Sequence, residues 1–255
     1  MRALLIVAAL ASFARGNECS VDGRTPLAGW TALPPPTASS PLRQCAQDSP
    51  CEYRVESDGK AAFVVPDAPT PKAPAGVPKA ADAFCFDWQR VDGGWLAACD
   101  AGLSLFAPDG TRTVVDARAT TTLLPVDGGF VALAGKAGAI LRVNKERATY
   151  KATTLASLGS WPYTALVDGA RLLVATPAGL ADVALDGARP LRWLRRAPWP
   201  SPASIAVAGD TIYVAMSYVV VRLTKTSAGY LEHWLVPHGC ERPAPDRCDC
   251  RTPHK

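Results

Sequence analysis

One phrase recurs along this chain and sets the period of whatever it folds into. VDGG opens at Val91 and returns at Val126, and related phrases begin at Val167 and Val207, so the intervals are 35, 41 and 40 residues. Around each copy the apolar runs are short. In the third copy they read YTALV, RLLVAT, LADVAL and RPLRWLR, parted by DGA, PAG and DGA. Runs of this length bounded by turn residues read as β-strands, and Asp-Gly or Gly-Gly pairs supply the positive φ that two-residue hairpins demand. Asp92-Gly93, Asp127-Gly128, Asp168-Gly169 and Gly209-Asp210 each join a first strand to a second. Gly102, Gly138 and Gly179 mark the next turn, and Asp109-Gly110 and Asp186-Gly187 the third. The aspartates are therefore assigned to turns, not to acid catalysis.

Four strands and three tight turns in about forty residues describe one blade of a β-propeller. The expected fold is all-β: a disulfide-stapled β-propeller of five blades, four clear repeats over residues 82–237 and one degenerate blade. The degenerate blade is a hairpin signal at residues 51–67, centred on Asp58-Gly59; discounting it leaves four blades as the alternative. Residues 29–34, GWTALP, are candidates to close the ring from the N-terminal side. DGARLLVATPAGLADVALDG and DGGWLAACDAGLSLFAPDG resemble the blades of bacterial β-propellers of the NHL type and of regulator-type sensor propellers. That resemblance implies a fold and no particular activity. The chain lacks a Trp-Asp dipeptide closing each blade and the S-x-D-x-G-x-x-W box of sialidase propellers.

The chain opens on MRALLIVAALASFARGNECS: one positive charge, a short apolar run, then small residues before Gly16. This is the pattern of a secretory signal peptide over residues 1–16. Export to a bacterial periplasm or medium is expected, with no transmembrane segment after signal removal. Residues 17–81 form a Pro-rich N-terminal segment carrying the hairpin, and residues 238–255 a Cys/His-rich tail. The formal net charge of +4 comes from 27 basic and 23 acidic residues mixed along the chain, a balance that excludes nucleic acid as an expected partner.

In an oxidising compartment the eight cysteines read as disulfides. Cys85 and Cys99 flank the Asp92 turn symmetrically and are expected to pair across a hairpin. Cys45 with Cys51 would close a small loop. Cys240, Cys248 and Cys250 lie in the tail, one of them a candidate partner for Cys19. A metal site on His238 and His254 is the alternative use of the tail, disfavoured because C-x-C spacing suits structural zinc poorly. Neither metal nor cofactor is expected.

Binding candidates fall in two places. Residues 189–200, RPLRWLRRAPWP, concentrate Arg192, Arg195, Arg196, Trp193 and Trp199, types suited to gripping an anion or stacking on a ring. On the first inner strand, Asp87 and Arg90 are polar where inner strands line a channel, unless they pair with each other. No nucleophile elbow, metalloprotease helix or phosphate-binding loop is present. The functional expectation is an exported, non-catalytic propeller that binds a protein partner, with a glycan as second choice; the alternative is a metal-binding protein or enzyme using the channel mouth or tail.

Overall fold

The computed structural model describes residues 25–48, 52–64, 73–77, 84–147, 149–238 and 240–243. The signal-like segment and Cys19, Cys51, Cys248, Cys250 and His254 lie outside the described residues. The repeats become four antiparallel sheets whose strands pair in chain order. The first comprises Cys85–Val91, Gly94–Cys99, Gly102–Phe106 and Arg112–Asp116; the second Thr120–Val126, Gly129–Ala134, Ala139–Glu146 and Thr149–Ser157. The third comprises Thr164–Asp168, Arg171–Thr176, Gly179–Ala184 and Arg192–Arg196; the fourth Ser204–Ala208, Thr211–Ala215, Val220–Thr226 and Gly229–Val236. Gly93 and Gly128 sit in their first turns at φ +84° and +76°, which is why the recurring phrase needs glycine there.

Each sheet packs face to face on the next, as blades of a propeller do. The second strand of the third blade shows the logic: Leu172 and Val174 pack towards the second blade, Leu173 and Ala175 towards the fourth. All four are fully buried. A strand covered on both faces has no polar side to alternate with, so it reads as a continuous apolar run. The first strands are innermost and neighbour one another in order from the first blade to the fourth.

The hairpin expected upstream is present as Glu52–Val55 and Lys60–Val64, and Thr25–Pro26 adds a third strand beyond Lys60–Val64. Glu52–Val55 lies against the first strand of the fourth blade. Tyr53 N–H donates to the Met216 carbonyl at 3.0 Å and Val55 N–H to the Ser204 hydroxyl at 3.0 Å. Residues 29–34 contribute Thr31–Leu33, which pairs antiparallel with Gly229–Val236 and becomes the outermost strand of the fourth sheet. The five sheets follow one another in this way, and among the described residues no closed ring is seen.

Two features correct or extend the sequence reading. Pro41–Asp48, for which the sequence suggested no element, is an α-helix. Proline at its first position fits a helix start, since the missing N–H would have had no partner there. Leu42, Cys45 and Ala46, on one face, are buried against the core between the third and fourth blades. Three apolar positions are too few to show a helical period in sequence. The second feature is the cysteines. Cys85 and Cys99 stand directly opposite in register and are disulfide-bonded. Cys45 and Cys240 each take part in a disulfide as well, and both are buried in the same cluster as the helix.

Candidate functional site: the rim of the third blade

The strongest concentration of predicted binding residues lies on the outer strand of the third blade, Arg192–Arg196. Gly179 lets that strand approach its neighbour: it holds φ +121°, and a Cβ there would stand 2.1 Å from the Arg195 carbonyl oxygen. Pairing runs Asp182 with Arg192, Ala181 with Trp193, then shifts so that Leu180 meets Arg195 and Gly179 meets Arg196. Leu194 is the extra residue of this bulge. An inserted residue resets the alternation of side chains, so Arg192 and Arg195 share the face towards the fourth blade while Trp193 and Arg196 share the face towards the second.

Two of the guanidinium groups are held by buried carboxylates. Arg192 donates to Asp182 Oδ2 at 2.8 Å, and Arg195 Nε donates to Glu232 Oε2 at 2.5 Å. Glu232 also accepts from the indole N–H of Trp199 at 3.2 Å and of Trp234 at 2.8 Å. A buried anion is tolerated only when paired and hydrogen-bonded, and Glu232 has three donors. Trp199 was expected as a surface ring for a ligand. It is buried, 1% exposed, inside the core that joins the third and fourth blades, so it belongs to the support of the rim and not to its face.

Arg196 lies 4.7 Å above the Trp193 ring in a cation–π contact. Among the described residues neither Arg189 nor Arg196 has a carboxylate partner. Arg189 and Arg192 line a recess of about 350 Å³ with Asp182, Ala184, Pro190 and Leu191. The rim therefore presents four arginines against two buried carboxylates, with an apolar-walled recess at its start. Such a surface can bind anions and exclude cations.

The other candidates are placed elsewhere. Asp87 does not form an ion pair with Arg90; its Oδ1 accepts from Trp88 N–H at 2.8 Å and its Oδ2 from Leu123 N–H at 2.8 Å. It thus ties the first blade's inner strand to the second's. Arg90 is exposed beside a smaller recess of about 270 Å³ that includes Gly76, Trp95 and Pro108. His238 is exposed, with Nδ1 3.5 Å from Glu241 Oε1, and Thr31 donates to the same carboxylate oxygen at 2.6 Å. Among the described residues no three His, Cys, Asp or Glu side chains are gathered as metal ligands.

Sequence reasoning missed Asp182 and Glu232. The signal was available: each is a lone carboxylate in a run whose alternate positions are apolar, LADVAL and YLEHWLV. An acid on the buried face of a strand requires a partner.

No family model matches the chain, and no curated protein matches it. Among solved structures it is similar to a nidogen/laminin complex at 13% identity, covering 55% of this chain and 57% of that one, with a TM-score of 0.38. It is also similar to a complex of S. cerevisiae Dbp5 with Nup159 and Gle1, at 11% identity, 85% and 67% coverage and a TM-score of 0.43. A third likeness is to PorZ, a surface component of the type-IX secretion system of Porphyromonas gingivalis, at 13% identity, 73% and 29% coverage and a TM-score of 0.32. Nothing about function follows from likenesses this remote.

Proposed function

We propose that this chain is an exported, non-catalytic propeller module of five blades, the hairpin sheet being the fifth, that binds a protein partner through the rim of its third blade. The observation that carries this reading is the exposed outer strand Arg192–Arg196, where guanidinium groups emerge on both faces and only part of their charge is offset from below. The inner strand offers less. Its one carboxylate on the first blade, Asp87, accepts one backbone N–H on each oxygen, the arrangement of a tie between two inner strands. A protein is favoured over a glycan because Arg196 already occupies one face of the Trp193 ring, the surface on which a sugar would stack. Export is supported by the Cys85–Cys99 disulfide, a bond that persists in oxidising compartments.

The test is crosslinking of the exported protein to its neighbours in native envelope or medium, comparing wild type with Arg189→Glu/Arg196→Glu. Among the described residues these two arginines hold no carboxylate, so the double variant changes the rim and not the Asp182 and Glu232 support beneath it. A partner captured by wild type and lost by the variant sustains the reading. A partner retained by the variant places the interface elsewhere.

A further inference from the structure

Resting on the rim reading above, we infer that the partner binds as an extended acidic segment that adds a strand to the free edge of the third blade. The molecule already carries out this addition once on itself. Thr31–Leu33 lies antiparallel along the outer strand of the fourth blade, pairing Thr31 with Val236, Ala32 with Leu235 and Leu33 with Trp234. Leu33 and Trp30 go into the neighbouring cores as anchors. An outer edge of this fold thus accepts a strand as short as three residues, here with Leu33 at its end and Trp30 just before it as apolar anchors.

Within the described residues, the other three outer edges receive no such strand. Their charges distinguish them. The first blade's edge, Arg112–Asp116, ends in opposite charges, and Asp116 is bound by Arg118 at 2.7 Å. On the second, Thr149–Ser157, Lys151 lies 3.7 Å from Glu146 of the adjoining strand. On the third, arginine fills three of the five positions of Arg192–Arg196, with Arg189 just before it. Charged side chains at an edge usually repel a second copy of themselves; the same charges attract an acidic strand. Every strand edge directs alternate backbone N–H and C=O groups outwards, so an added segment gains ladder hydrogen bonds at any sequence. The bulge at Leu194 sets the specificity. Because Arg192 and Arg196 emerge on opposite faces, the incoming segment needs carboxylates on both of its own faces. The recess beside Leu191 and Pro190 takes an apolar side chain next to them.

The probe is a blocked, fluorescein-labelled peptide with the repeat valine–glutamate–glutamate, which places carboxylates on both faces of a strand. Its binding to the full chain is followed by anisotropy, beside the same peptide N-methylated on alternate backbone nitrogens and a valine–lysine–lysine counterpart. Expected is saturable binding of the first peptide, weakened about tenfold or more by Arg189→Glu/Arg196→Glu, and a comparable loss on N-methylation because the ladder cannot form. Equal binding of the N-methylated peptide would reduce the interaction to charge attraction and overturn strand addition, independently of how the protein variant behaves. A concentration-dependent dimer in sedimentation that the double variant abolishes would also overturn it, since a second copy would then fill the edge. Absence of peptide binding, with native partner capture still lost in the double variant, removes strand addition while leaving the rim interface standing; failure of both removes the two together.

Discussion

Replacing Glu232 with alanine would leave the indole N–H groups of Trp199 and Trp234 buried without an acceptor and Arg195 without its anion. An orphaned buried donor costs about 1–3 kcal/mol. With two indoles affected, the expected loss of stability is about 3 kcal/mol or more, read from urea unfolding, while Glu232→Gln, which keeps an acceptor, loses less. Trp199→Ala is expected to cost about 3–5 kcal/mol through the cavity it leaves, whereas Trp193→Ala, at a half-buried position on the rim, costs less. The contrast was only partly legible beforehand. Composition drew attention to residues 189–200, but Trp193 sits on the outer strand while Trp199, beyond its end, enters the core between the third and fourth blades, and the residues that bury it lie far away in sequence. A second residue-scale effect is electrostatic. The Arg118 side chain hydrogen-bonds Asp116 and holds its carboxyl below the usual range against the opposing pull of burial. A depressed carboxyl contributes stability above its unfolded pKa and loses that contribution as pH falls through its folded pKa. Arg118→Ala is therefore expected to raise the Asp116 midpoint in an NMR titration, to lower stability near neutral pH, and to shrink the part of the acid-induced loss that this carboxylate contributes.

At the scale of the element, the hairpins were the most readable part of the chain because each is specified locally, by the glycine that takes positive φ and the apolar run on either side. The first hairpin of the first blade is further closed by Cys85–Cys99, separated by 14 residues. Loop closure of that length restricts the unfolded chain by about 3 kcal/mol. The double variant Cys85→Ser/Cys99→Ser should lose stability of that order in urea, and reductant, which also cuts the disulfides of Cys45 and Cys240, should lower the wild-type midpoint at least as far, whereas a metal chelator should leave the wild type unchanged. A midpoint that falls with chelator would instead point to a metal. The helix Pro41–Asp48 was the least readable element. Its register is set by Leu42, Cys45 and Ala46 meeting a core that comes from residues more than a hundred positions later. Tertiary packing of that kind overrides a proline-rich composition, and no window of sequence around the helix contains the cause.

For the whole molecule, the question is how sheets that are each local are held in one assembly. Between neighbouring repeats the answer is apolar: two-faced middle strands whose alternate residues enter successive cores. Between the beginning and the end of the chain it is backbone pairing, with Thr31–Leu33 on Gly229–Val236 and Tyr53 and Val55 bonded to the fourth blade. The repeat period foretold the first kind of joint, because every blade must present the same apolar faces. The second was signalled only by leftover β-prone residues near the N-terminus, and its partner strand lay some two hundred residues away in the sequence. A proline at the centre of the short strand separates the two joints experimentally. Ala32→Pro removes one backbone donor opposite Leu235 and disfavours the helical conformation of the residue before it, while leaving the cores between the repeats intact. If terminal pairing secures the assembly, hydrogen exchange in this variant should accelerate first along Gly229–Val236 and Glu52–Val55, with the middle strands of the second blade still protected. The remaining blades would then open as a later, separate step at higher denaturant. Uniform acceleration through all sheets would mean that the blades unfold as one unit and that the terminal strand is no more than a covering for the last edge.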